Sequence, residues 1–226
     1  MVRSGRPLLL IGFLHQNPRC ASKPMANPYE VVLFDLGGVV IELSGVPIWQ
    51  SWTGAGDEAE VWERWLRSTA VRRFESGRAG AAEFAREIVA EFGLAIGPDE
   101  FVREFTSWPK GVYPGVREMI AEARSRVRVG CLSNCNELHW PRFLHEMRLH
   151  DAFDECFSSH ELGALKPDRE VFDLVVSKLG CVPDRVLFLD DNQINVDGAV
   201  AAGLHARVVK GPDAVRGVLG EYGLLG

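Results

Sequence analysis

The chain has 226 residues, 46% hydrophobic and 25% charged, which is ordinary globular composition and enough for one large domain or a core with a smaller partner. Against 25 Lys and Arg stand 31 Asp and Glu, leaving a net charge of −6 and no long basic run, which argues against a nucleic-acid-binding face. The five cysteines, an odd number with no CxxC pair, do not make a disulfide framework, so the chain reads as a reduced, cytoplasmic protein.

Residues 1–24 contain arginines and a short apolar run at 8–14. That run is too short to cross a membrane and sits at the lower edge of a signal-peptide core, with no convincing small-x-small site after it. Met25 stands directly before NPYEVVLFD, so residues 1–24 are expected to be a disordered extension or a misassigned start, with a targeting peptide as the alternative. Val31–Phe34 is a continuous apolar run ending in Asp35 and a glycine pair, the pattern of a central strand buried on both faces with a sharp exit.

Residues 44–109 then break the strand pattern. They offer no strong strand candidate but several helical ones, at 58–69, Ala81–Phe92 and 98–105. Beyond them the alternation is regular. A helix is expected at 115–126, a strand at 127–132 ending in Ser133-Asn134, and a helix at 168–179 with Asp168 placed to cap it. A strand at 186–189 ends in Asp190-Asp191, a helix at 196–202 stops at Gly203, and a last strand occupies 206–209. Cys131, inside the second apolar run, reads as a small core residue. Strands alternating with helices predict an α/β protein, a Rossmann-like doubly wound parallel sheet, with residues 44–109 inserted as an α-helical cap. The core would then be 25–43 and 110–226, with the cap above the carboxyl ends of the strands, where ligands bind in open sheets.

Three strands therefore end in polar residues that should meet at one edge: Asp35, Ser133 with Asn134, and Asp190 with Asp191. Lys166, in GALKPD, adds a cation just before a helix. Each residue alone could be a turn or a cap. Together, carboxylates, a hydroxyl, an amide and one lysine make a site for a divalent cation and a phosphate, and oxygen ligands suit Mg²⁺.

These segments resemble the haloacid dehalogenase superfamily. VVLFDLGGVV is similar to its first motif, CLSNCN to its second, GALKPD to its third and FLDDNQINVDGA to its fourth, in order, over roughly residues 31–209. Within that family, SNCNELH and LDDNQIN resemble sugar-phosphate phosphatases and the N-terminal phosphatase domain of soluble epoxide hydrolases. The resemblance implies a phosphomonoester hydrolase acting on a small phosphorylated metabolite, such as a sugar phosphate, with neither nucleic acid nor membrane as partner and with the oligomeric state left open. Asp35 would attack phosphorus to form an aspartyl-phosphate. Asp35 and Asp191, with the backbone carbonyl of Gly37 and Asp190 in support, would hold Mg²⁺ so that two anions can approach. Ser133, Asn134 and Lys166 would bind the phosphoryl oxygens, and Asn195 would orient Lys166 or a water.

One departure matters. The family pattern Asp-x-Asp supplies a general acid two residues after the nucleophile, and here Gly37 stands in its place. His139, close behind the second motif, is a candidate for that proton transfer, or else a surface or capping residue. Gly37 could also hold a backbone angle that only glycine adopts readily. The alternatives are a 2-haloacid dehalogenase, against which the paired carboxylates argue, and a non-catalytic binding protein of the same fold. Trp49, Trp52, Trp62 and Trp65 would pack the cap or line a specificity pocket, and Arg72, Arg73 and Arg78 would be solvated or meet an anionic substrate.

Overall fold

A five-stranded parallel sheet organises the chain in the computed structural model, which describes residues 27–54 and 56–226. The apolar run at 8–14 and Met25 lie outside the described residues. The first strand, β1 (Val31–Phe34), is apolar and fully buried at every position. A turn leads to β2 (Ile41–Leu43), and five helices follow: α1 (Gly45–Thr53), α2 (Glu58–Arg67), α3 (Thr69–Glu75), α4 (Ala81–Phe92) and α5 (Pro98–Thr106). The chain returns through β3 (Pro109–Val112), antiparallel to β2, and continues into α6 (Val116–Arg124) and β4 (Arg128–Ser133). A π-helical turn at Arg142–Glu146 precedes α7 (Leu149–Ala152), β5 (Glu155–Ser158) and α8 (Ser159–Leu162). The last part comprises α9 (Arg169–Leu179), β6 (Val186–Asp190), α10 (Gln193–Ala201), β7 (His205–Val208) and α11 (Gly211–Glu221).

The strand order is β5-β4-β1-β6-β7, and each neighbouring pair is parallel. Alternation along β1 divides the core. Val32 and Phe34 face a cluster with Val116, Met119 and Ile120 of α6 and Leu219 of α11, while Val31 and Leu33 face Val171, Phe172 and Val175 of α9. Helices on both faces make the sheet doubly wound, as the alternation of runs predicts. Register decides what meets at the edge. Phe34 is level with Cys131 on one side and Leu189 on the other, so Asp35 stands level with Asp190 and one step from Ser133.

The helices α1–α5 close on an apolar cluster of their own, built around Trp49, Trp65, Phe74, Phe84, Phe101 and Phe105. Phe74 stacks on Phe84 with ring centroids 4.2 Å apart, and Trp65 on Phe105 at 5.8 Å. Polar links fasten this layer to the sheet: Arg72 pairs with Asp168 at 2.6 Å, and Glu137 accepts from the Ala81 amide at 2.6 Å.

Several local expectations shift. The helix expected at 58–69 breaks at Ser68, whose backbone is extended and whose hydroxyl accepts from the Val71 amide, so a second helix, α3, starts there. Asp168 stands at the head of α9 without capping it by its side chain, because its carboxylate is taken by Arg72. The sequence pattern did not show α1, the β2–β3 pair, β5 or α11. Cys131, Cys135, Cys156 and Cys181 are free thiols, and among the described residues no helix is long and apolar enough to cross a membrane.

Candidate active site

Polar strand ends and the lysine loop converge on a cavity of about 540 Å³, between the carboxyl edge of the sheet and the helical layer. Asp35, Gly37, Ser133, Asn134, Lys166 and Asp191 line its floor. Lys166 organises that floor. Its ammonium, 1% exposed, donates to Asp35 Oδ1 at 2.8 Å, to Asp190 Oδ2 at 2.6 Å and to the Leu132 carbonyl at 3.1 Å. Burial opposes this charge, but Asp190 and Asp35 outweigh it and hold the amine's pKa above its ordinary value.

Asp190 is itself fully buried and held from three sides. The Asn195 amide donates to both its oxygens at 3.1 Å, and the Asn192 backbone amide donates to Oδ1 at 2.8 Å. Asn195 thus reaches Lys166 through Asp190, one bond further off than expected. Asn134 differs more. Its Nδ2 donates to the Lys166 carbonyl at 2.9 Å and its Oδ1 accepts from the Lys166 amide at 2.8 Å, so this side chain pins the lysine loop to β4. The Ser133 hydroxyl has only a long contact, 3.4 Å, to the Asn134 carbonyl.

One carboxylate oxygen each from Asp35, Asp190 and Asp191 lie within 4.8 Å of one another. Three carboxylates beside one ammonium leave an excess of negative charge. Burial pushes Asp35 up to about 6, with Lys166 pulling the other way. Burial, then the charges of Asp35 and Asp190, push Asp191 up to about 8. The donors are all hard oxygens, with no thiolate or imidazole among them.

Gly38, rather than Gly37, takes the glycine-only backbone. Its φ is +70°, and a Cβ there would lie 2.1 Å from Asp191 Oδ2. At Gly37 a Cβ would meet only the movable end of Leu43, at 2.8 Å.

His139 lines the cavity, but its ring is occupied. Nε2 faces the Phe105 carbonyl at 2.8 Å and Nδ1 faces the Asn136 amide at 3.3 Å, while burial pushes its pKa down to about 4. The tryptophans divide. Trp49 is interior, whereas Trp62 and Trp65 reach the cavity wall. Arg72, Arg73 and Arg78 engage Asp168, Glu83 with Glu87, and the Gly163 carbonyl respectively.

Sequence reasoning missed Glu75. This last residue of α3 is 6% exposed, lines the cavity with Asp35, and accepts from the Trp65 indole at 3.2 Å. A lone Glu in an amphipathic helix carries no signal that it faces inward. Only its place beside Phe74 in the helix pattern could have raised the question.

Comparison with known proteins bears on this arrangement. The family model of haloacid dehalogenase-like hydrolases matches residues 29–203. Phosphatase MT3486 of Mycobacterium tuberculosis is 30% identical over 208 residues, 84% of this chain and 95% of its own length. D-ribitol-5-phosphate phosphatase of Bacteroides thetaiotaomicron is 25% identical over 173 residues, 73% of this chain and 84% of its own. In fold, the chain is similar to a haloacid dehalogenase family enzyme from Bacteroides thetaiotaomicron solved with magnesium and inorganic phosphate. The TM-score is 0.65 at 24% identity, covering 80% of this chain and 94% of that one.

Proposed function

The chain belongs to the haloacid dehalogenase-like hydrolases, and we propose that it hydrolyses phosphomonoesters through a phosphoryl group carried on Asp35. That it is a phosphatase is supported by its named relatives, which include phosphatases of ribitol 5-phosphate, glyceraldehyde 3-phosphate and phosphoserine. The substrate is accordingly a small phosphorylated metabolite. The observation that carries the roles is the Lys166 ammonium bridging Asp35 and Asp190 at the closed floor of the cavity.

The donor set fits Mg²⁺. Asp190 is committed to Lys166, Asn195 and the Asn192 amide, which leaves Asp35 and Asp191, with the Gly37 carbonyl, as the ligands. Two carboxylates suit an ion that prefers few protein ligands. When bound, the ion supplies positive charge that lets the anionic nucleophile approach an anionic phosphoryl group.

The chain's own residues do the rest. Lys166 fixes the rotation of Asp35 through Oδ1 and neutralises charge on the phosphoryl oxygens as it develops. Asn195 and Asp190 hold Lys166 in place, and Asn134 holds its backbone. Ser133 turns its hydroxyl from a weak contact to a phosphoryl oxygen. Residues 44–109 act as the cap over a core formed by 25–43 and 110–226, screening the aspartyl-phosphate from bulk water.

The test is hydrolysis of p-nitrophenyl phosphate. Asp35→Asn, isosteric but far less nucleophilic, abolishes turnover while the melting temperature holds. Excess chelator removes activity and Mg²⁺ restores it, whereas Ca²⁺, with longer bonds and more ligands, restores little. More than a few per cent of wild-type rate in Asp35→Asn, or full activity in chelator, overturns the reading.

A further inference from the structure

A phosphatase with Asp35 as nucleophile needs a group to protonate the departing oxygen, and Gly37 has no side chain to do so. Such a group must face the cavity from the side opposite the sheet and must carry a proton at neutral pH. Beyond the floor residues, five titratable side chains line the cavity; Lys210 follows β7 on the sheet side and the buried Cys135 thiol is turned to the Asn136 carbonyl at 3.8 Å, which leaves Glu63, His139 and Glu75. Glu63 is exposed and pairs with Arg67 at 2.8 Å. His139 has no N–H to give. In the tautomer that satisfies both contacts, Nε2–H donates to the Phe105 carbonyl and Nδ1 accepts from the Asn136 amide. Glu75 remains.

Resting on the phosphatase reading above, we propose that Glu75 is the general acid and base of the reaction. The geometry suits the role. The carboxyl is buried at the cavity wall and its Oε1 accepts from the Trp65 indole at 3.2 Å. It is also tied to the sheet. The Ser159 hydroxyl donates to the Glu75 carbonyl at 2.5 Å and accepts from the Cys135 amide at 3.0 Å, immediately after Ser133 and Asn134. Glu75 is therefore positioned by the end of β4 as well as by its own helix.

The groups whose charge reaches it are Lys166 and Asp35 on the sheet edge and Arg72 one turn back on α3, while the buried Cys135 thiol nearby stays neutral. Burial pushes the carboxyl up to about 7, against the pull of the Trp65 hydrogen bond and Lys166. A proton held near neutrality can be given and retaken.

The chemistry balances. In the first step Asp35 bonds to phosphorus, the bond from phosphorus to the ester oxygen breaks, and the Glu75 proton passes to that oxygen to give the free alcohol. In the second, Glu75 takes a proton from water as the water oxygen bonds to phosphorus. The bond from phosphorus to Asp35 breaks, inorganic phosphate leaves, and Glu75 is again protonated.

Leaving-group dependence tests this, because an aryl oxide departs without a proton and an alkoxide does not. Glu75→Gln keeps an oxygen for the Trp65 indole, so a purely structural role predicts little change with either substrate. Under the proposal, with Mg²⁺ present, it lowers kcat/KM for n-butyl phosphate by ~10²–10⁴-fold and for p-nitrophenyl phosphate by less than ~10-fold. The wild-type decline of kcat/KM with rising pH near 7 disappears with it. Glu75→Asp, which retains an acid, regains part of the alkyl rate. Equal losses on both esters, no loss on the alkyl ester, or a Glu75→Asp no better than Glu75→Gln would overturn the proposal. Failure of the wild type itself to hydrolyse p-nitrophenyl phosphate would condemn the underlying phosphatase reading instead.

Discussion

Replacing Lys166 by methionine removes the one ammonium that Asp35 and Asp190 share, and the cost can be worked from the geometry. The two hydrogen bonds, 2.8 and 2.6 Å long, are made by a side chain 1% exposed to carboxylates 10% and 0% exposed. Removing one partner of such a buried arrangement leaves uncompensated charge and costs about 3–5 kcal/mol. In a chain of this size each kcal/mol moves the melting point by about 2–4 °C, so Lys166→Met should melt roughly 6–20 °C below wild type at pH 7. Methionine fills nearly the same volume, so cavity formation adds little. The penalty comes from charge and should shrink at pH 5, where protonation neutralises Asp35. Asp190→Asn on top of Lys166→Met should recover part of the loss, since the second substitution removes a charge the first stranded. Calorimetry in chelator on wild type, both single variants and the double measures every leg. A Lys166→Met protein within about 2 °C of wild type at pH 7, or a double variant no more stable than the single, would refute the reasoning.

Gly38→Ala should destabilise by about 1–3 kcal/mol and weaken Mg²⁺ binding, because φ is +70° and the new methyl would displace the Asp191 carboxylate; chemical denaturation and Mg²⁺ titration by calorimetry read both, and an unchanged midpoint would refute it. The pH dependence of metal-free stability has a definite sign. Asp35, Glu75 and Asp191 have folded pKa values raised to about 6, 7 and 8 by burial, so the folded state holds more protons than the unfolded one between about pH 4 and pH 8. Their stabilisation is complete below that window and lost as pH rises through it. Urea unfolding in chelator should therefore show stability falling from pH 5 to pH 8, and saturating Mg²⁺ should flatten the fall. A rise in chelator contradicts the assignment.

What was legible in the sequence was whatever announces itself locally. Apolar runs of four to six residues ending in Asp35, Ser133 and Asp190 gave both the strands and the edge at which they meet, since a polar residue ending a buried strand must be placed for something other than packing. The edge strand β5 escaped because Glu155-Cys156-Phe157-Ser158 is short and half-polar, as a strand with one open flank is. Long-range partners escaped for a different reason. Nothing local says that Asp168 gives up its helix cap to Arg72, or that Asn134 spends its amide on the Lys166 backbone, 32 positions away. Glu75 belongs to this class. Its inward aim depends on how α3 rests against Trp65 and Ser159, and a periodic pattern cannot encode that.

The antiparallel pair β2–β3 returns the chain beside the point from which it left for the five helices. With both ends already fastened together, the length of the excursion scarcely touches the sheet's stability: closing a loop of twice the length costs only about 0.6 kcal/mol more. The sheet and the excursion can thus change at different evolutionary speeds. Asp35, Lys166 and Asp190 belong to the sheet side of the β2–β3 junction, while Trp62, Trp65 and Glu75 belong to the excursion. A single recombination at the two strands would move the wall of the cavity as one unit, together with the residue to which we assign the proton.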